Sequence, residues 1–184
     1  VDVDISGITL EEINPLSVCI GMEGRMTYAD TGDTTQLTFW RHHISNDNYL
    51  LARVDTSSAR TGQVDFLQRV DGTSYLRQTT NNAYSPDILV PYNIASRHGS
   101  TFINGATDGV ELTTTTVPSL PDLSSTNLSL AYKYMGTISE FRVWDKDITD
   151  AGLVEATEPS LEPSLSLTFE GVGTNSFVVN NWSE

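Results

Sequence analysis

The chain has 184 residues, 38% of them hydrophobic, and its 24 acidic against 10 basic residues give a formal charge of −14. That length suits one domain with a sizeable core, and no apolar run reaches the roughly 18 residues of a membrane-spanning helix. A net negative field also opposes nucleic-acid phosphates and anionic lipid, so neither nucleic-acid binding nor membrane insertion is expected.

The chain opens on Val1 rather than Met, which suggests a fragment or processed product with an N-terminal partner domain. Residues 1–15 read as a linker or leading strand, and 16–170 as the domain. Short runs rich in Val, Ile, Thr, Tyr and Phe then recur between Asn, Asp, Gly and Ser turns, the pattern of a mostly antiparallel sheet protein. Strands are expected over 17–23, 36–43, 49–55, 63–70, 73–78, 92–97, 100–103, 128–132, 138–144 and 165–170. Cys19, the single cysteine, cannot form an intrachain disulfide and reads as a small buried hydrophobe.

Along the second strand, simple alternation puts Thr38, Trp40, His42 and Ile44 on one face and Leu37, Phe39, Arg41 and His43 on the other. Both faces then carry aromatics. One packs on the core and the other contacts a loop, a ligand or a second subunit. Asp71-Gly72 is the strongest hairpin signal, because a type I′ turn needs positive φ at its centre. Asn104-Gly105 and Asp108-Gly109 repeat that chemistry and read as two further tight turns. His98, in Arg97-His98-Gly99, reads as an exposed hairpin tip. Pro118 and Pro121 mark 113–122 as a loop. The one credible helix is 148–156, with Asp147 or Thr149 at its cap and Asp150 in the first turn. Residues 171–184 form a polar tail whose Phe177, Val178, Val179 and Trp182 must dock on this domain or a neighbour. The class is therefore all-β: a two-sheet antiparallel jelly-roll sandwich with one short helix near the C-terminus.

The stretch from Tyr92 to Gly105, then Leu128–Ala131, then Gly136–Trp144 with the helix after it, resembles the laminin-G-like, concanavalin-A-like domains. The likeness runs over roughly 16–170 and is sharp from Tyr92 to Ala156. The wording of these motifs looks most like variants in bacteriophage structural and tail proteins. What that implies is a non-enzymatic virion module, such as a tail, fibre or capsid decoration. Such a module is often trimeric, is assembled in the host cytoplasm with other virion proteins, and acts in assembly or surface attachment; otherwise the setting is extracellular. The alternative is a lectin-like domain that binds a host surface glycan. Many members of the family hold calcium between two Asp side chains near the sandwich rim. Asp30, Asp33, Asp145 and Asp147 are candidates by their placement in turns, and calcium is the one cofactor considered.

Catalysis is not expected. Glycosidases need two carboxylates across a cleft, and the laminarinase-like relatives carry them as Glu-x-Asp-x-x-Glu; no Glu in this chain is followed two residues on by Asp. His42, His43 and His98 lack zinc spacing. For sugar recognition, rings come from Trp40, Tyr84, Tyr132, Tyr134 and Trp144, and polar groups from Asn81, Asn82, Arg97 and Asn104. The candidate ligand site is Tyr84, Asn82, Arg97, Asn104 and Trp144, with Tyr84 the ring expected to be most exposed.

Overall fold

A computed structural model describes residues 17–29, 36–57, 59–117, 119–124 and 127–158. The expected leading segment 1–15, strand 165–170 and tail 171–184 lie outside the described residues, as do Asp30 and Asp33.

Two antiparallel sheets face each other. The strands are β1 (Ser17–Met26), β2 (Gln36–His43), β3 (Tyr49–Asp55), β4 (Gln63–Val70), β5 (Thr73–Gln78), β6 (Val90–Gly99), β7 (Phe102–Thr107), β8 (Val110–Glu111), β9 (Thr115–Thr116), β10 (Leu128–Tyr132) and β11 (Gly136–Trp144); the helix is α1 (Thr149–Thr157). One sheet runs β11-β1-β6-β7-β8, with β9 also on β7, and the other runs β10-β2-β3-β4-β5. The all-β sandwich with a short C-terminal helix is thus the observed architecture.

Alternation builds the core. Val18, Ile20 and Met22 of β1 and Tyr92 and Ile94 of β6 point inward against Leu37, Phe39, Trp40, Ala52, Val54, Val64 and Phe66 of the opposite sheet. A second, smaller cluster lies on the far side of the first sheet. There Leu153 and Ala156 of α1 sit on Ala95 and Ala106, whose small side chains let the helix approach closely.

Two hairpin turns form as their chemistry requires: Asp71 and Gly72 at φ 47° and 79°, Asp108 and Gly109 at φ 48° and 78°. Asn104-Gly105 does not form a turn. Both residues lie inside β7, paired with Arg97 and Ser96. A Cβ added at Gly105 would come within 2.1 Å of the Phe66 ring, so the glycine is there to let the opposite sheet pack onto bare backbone. His98 is likewise not an exposed tip: β6 runs through it and it is fully buried.

The helix starts one residue later than the sequence indicated. Its N-cap is Ile148, with no side-chain cap bond, while Asp147 Oδ1 accepts a hydrogen bond from the Thr149 backbone N–H at 2.8 Å. No helix among the described residues is long and apolar enough to cross a membrane.

Candidate functional site

The outward face of the five-stranded sheet is set by a bulge. Register between β2 and β3 steps from Thr38↔Arg53 directly to Trp40↔Ala52, leaving Phe39 as an extra residue. Strict alternation would put Phe39 and Arg41 on one face. The bulge instead turns both Phe39 and Trp40 into the core, each fully buried, and flips Arg41 and His43 outward. This corrects the expectation of aromatics on both faces.

Cross-strand register then assembles the outward face in rows. Tyr132, Thr38, Arg53 and Asp65 form one row, Ser129, Arg41, Leu51 and Leu67 the next, and His43, Tyr49 and Arg69 the third. A cavity of about 230 Å³ opens on it, lined by Gln36, Thr38, Arg41, Tyr49, Leu51, Arg53, Tyr132 and Lys133. Three of the ten cations of the chain line this cavity, and among the described residues no carboxylate does.

Each cation is held differently. Arg53 is fixed: its Nε donates to Asp65 Oδ2 at 2.9 Å and its Nη1 to Gln36 Oε1 at 2.7 Å. Asp65 is itself fully buried, and Gln78 Nε2 donates to its other oxygen at 2.7 Å. Such a closed network holds a guanidinium in one orientation. Arg41 has no carboxylate partner among the described residues; its guanidinium lies 5.4 Å from the centroid of the Tyr49 ring. Lys133 Nζ lies 5.8 Å from the Tyr132 ring. Ala131 and Lys133, flanking Tyr132, both adopt left-handed backbone at φ 58° and 53°. That conformation costs a non-glycine residue about 1–3 kcal/mol, and such strain gathers at binding sites. A surface with two rings, a fixed guanidinium and two cations without a carboxylate partner among the described residues suits a ligand that joins an apolar face to an anionic group.

The site residues expected from sequence fall elsewhere, in three places. Asn82 and Tyr84 border an open cavity of about 450 Å³ formed by the 82–91 loop and Asp108. Tyr84 is not the exposed ring expected there: only 3% of it is accessible. Its hydroxyl donates to the Asn93 carbonyl at 3.3 Å, and its own carbonyl accepts from the Tyr28 hydroxyl.

Arg97, Asn104 and Asp147 converge beneath α1. Arg97 donates to Asp147 Oδ2 and Asp150 Oδ1, both at 2.6 Å, and stacks 4.1 Å from the Phe102 ring. Asn104 donates to Asp150 at 2.7 Å, and the Thr114 hydroxyl to both Asp150 oxygens at 3.0 and 2.9 Å. Partial burial pushes the Asp150 carboxyl up, but the hydrogen bonds from Asn104, Arg97 and Thr114 outweigh it and hold the group below its ordinary value. This network clamps the helix to the sheet. Trp144, on β11, stands over Gly21 with the Arg142 guanidinium 5.5 Å from its ring.

Asp145 is exposed, and Asp147 spends its carboxylate on Arg97 and the Thr149 N–H. No three His, Cys, Asp or Glu side chains among the described residues group as a cation site. Of the pair Asp145 and Asp147, only Asp145 keeps a carboxylate without a protein partner among the described residues.

Sequence reasoning had named Tyr132 but missed Arg41, Tyr49, Arg53 and Lys133. The signal was there in part, since Tyr49, Leu51 and Arg53 share one parity in β3. The bulge at Phe39 hid that Arg41 joins them.

No family model and no curated protein matches the chain. Among solved structures, the CBM40 module of Ruminococcus gnavus IT-sialidase, bound to α2,3-sialyllactose, matches with a TM-score of 0.59 at 14% identity, over 79% of this chain and 84% of that one. A leech intramolecular trans-sialidase matches at 0.60 and 16% identity, over 79% of this chain and 24% of that one. The NanB sialidase of Streptococcus pneumoniae matches at 0.59 and 17% identity, over 85% and 26%. The chain thus spans about a quarter of the whole sialidases and most of the isolated module. At these identities the likeness is one of fold: a two-sheet antiparallel β-sandwich, which the CBM40 module of the sialidase also has.

Proposed function

We propose that the chain is a non-enzymatic carbohydrate-binding module that takes an acidic glycan on the outward face of its five-stranded sheet. The observation that carries this reading is the concentration of Arg41, Arg53 and Lys133 around Tyr49 and Tyr132, with no carboxylate in the lining among the described residues, on a chain of charge −14. Arg41 receives the ligand carboxylate, because it has no carboxylate partner of its own among the described residues. Arg53, held by Asp65, presents a preset donor edge, and the two tyrosines take the apolar face of the sugar ring.

Among the described residues the lining offers no Asp or Glu as the acid and base that glycoside hydrolysis requires. The sialyllactose bound to the Ruminococcus gnavus module lends support to a carboxylated sugar as ligand. These points favour the glycan-binding alternative over a virion structural module.

Calorimetric titration with 3′-sialyllactose and with lactose tests the reading. Sialyllactose is expected to bind at least tenfold tighter than lactose. Arg41→Gln should remove that preference, since a charge-assisted contact is worth about 1.5–3 kcal/mol, or roughly 10- to 100-fold. Equal binding of the two sugars, or an unchanged preference in the variant, would sink it.

A further inference from the structure

Beside the cavity, one strand step along the same face, a second cationic group stands around Tyr49. The row His43–Tyr49–Arg69 is in direct register across β2, β3 and β4. The Arg69 guanidinium lies 5.9 Å from the Tyr49 ring centroid and the His43 ring 6.0 Å from it, while Arg41 approaches the same ring at 5.4 Å. Two guanidinium groups and an imidazole thus gather on one aromatic ring. The nearest carboxylate to Arg69 is Asp47, at 4.0 Å and 68% exposed. That is beyond hydrogen-bonding distance, and a solvated pair of this kind contributes little. The Nε groups of Arg41 and Arg69 and the Nε2 of His43 are buried and have no hydrogen-bond partner among the described residues, so an anion would be met by the terminal Nη atoms of the two arginines. Arg69 thus has only a long, solvated contact to Asp47, and Arg41 has no carboxylate partner among the described residues, so an anion beside the Tyr49 ring would meet two guanidinium groups.

Resting on the acidic-glycan reading of the cavity, we infer that the His43–Tyr49–Arg69 row is a second anion subsite. The ligand is then a glycan carrying two anionic groups. One meets Arg41, Arg53 and Lys133, and the other is received by Arg69 beyond the Tyr49 ring. Same-face residues on a strand are about 6.7 Å apart. The Arg41 row therefore lies about 6.7 Å from the Arg69 row along the strands, and β2 and β4 are about 9.6 Å apart across the sheet, so the two anions sit on different sugar residues.

Three probes separate the two levels of the idea: lactose with no acidic group, 3′-sialyllactose with one, and disialyllactose with two. Wild-type protein is expected to bind disialyllactose at least fivefold tighter than sialyllactose. Arg69→Gln should abolish that margin while leaving the sialyllactose affinity within twofold, and Arg69→Lys should keep part of the margin. Equal wild-type affinity for the two acidic probes overturns the second subsite and leaves the cavity reading standing. A loss of both affinities in Arg69→Gln, with its melting temperature unchanged, also overturns it, because Arg69 would then serve the first site. Wild-type protein that binds none of the probes overturns both.

Discussion

His98 shows how a residue that looks reactive in sequence is spent on stability. It is fully buried, meets the edge of Trp40 at 5.5 Å between ring centroids, and has Nε2 at 3.2 Å from Ser96 Oγ. Burial pushes its pKa down to about 3, against about 6.5 in an unfolded chain. A depressed histidine leaves the unfolded state binding more protons, so stability is complete above pH 6.5 and falls as pH drops toward 3. One such group contributes a slope of about 1.4 kcal/mol per pH unit. Burial also lowers the pKa of His42, so the wild-type slope contains both. The Asp150 carboxyl acts in a lower window, because a depressed carboxylate stabilises above its unfolded value of about 3.9 and loses that as pH falls further. Chemical denaturation of wild type and His98→Gln at pH 5 and 7.5 is expected to show a smaller pH difference in the variant. Equal differences would mean that His98 does not titrate on unfolding in this window. The sequence could not reveal this role. The Arg97-His98-Gly99 triplet has turn composition, and only pairing with β1 and β7 shows that a strand runs through it.

At the scale of elements, alternation and turn chemistry were legible wherever backbone geometry was regular. The hairpins at Asp71-Gly72 and Asp108-Gly109 formed because Asp and Gly tolerate the left-handed backbone that a type I′ turn demands. The helix was legible within one residue. Two irregularities were not. The bulge at Phe39 breaks period-2 parity at one position and thereby decides which face Arg41 occupies; local composition carries no mark of it. Asn104-Gly105 has the residues of a turn, but its glycine answers to a ring from the other sheet, a long-range contact that no local pattern encodes. Gly105→Ala should therefore act as an overpacking substitution. The Phe66 ring must move to admit a Cβ now placed 2.1 Å from it, at an expected cost of about 1–3 kcal/mol. Pairing the change with Phe66→Leu should recover part of the loss in a double-mutant cycle. Strictly additive effects would show that Phe66 is not what the glycine accommodates.

Across the whole molecule, the outward face of the five-stranded sheet reverses the sign of the chain that carries it. A charge of −14 would repel an acidic glycan at long range, while in the proposed site Arg41, Arg53 and Lys133 would attract it once it reached the cavity. The two fields differ in reach. Salt shortens the screening length from about 10 Å at 0.1 M toward about 3 Å at 1 M, so it removes the distant repulsion before it weakens contacts a few ångströms long. Composition made the net charge legible, but not the local reversal, which exists only because β2, β3 and β10 bring three sequence-distant cations together. The consequence is kinetic. With a sialylated glycan on a sensor surface, the association rate constant is expected to rise as salt increases from 0.05 to 0.3 M, the opposite of electrostatically steered binding. The dissociation rate should rise as well, because Arg41 is half-buried and Lys133 exposed, so ion pairs that a ligand formed there would be only partly shielded from solvent. Arg41→Gln should flatten the salt response of dissociation while leaving that of association in place. An association rate that falls with salt would instead mean that the cationic face governs encounter, and that the surplus of carboxylates lies too far from the approach path to matter.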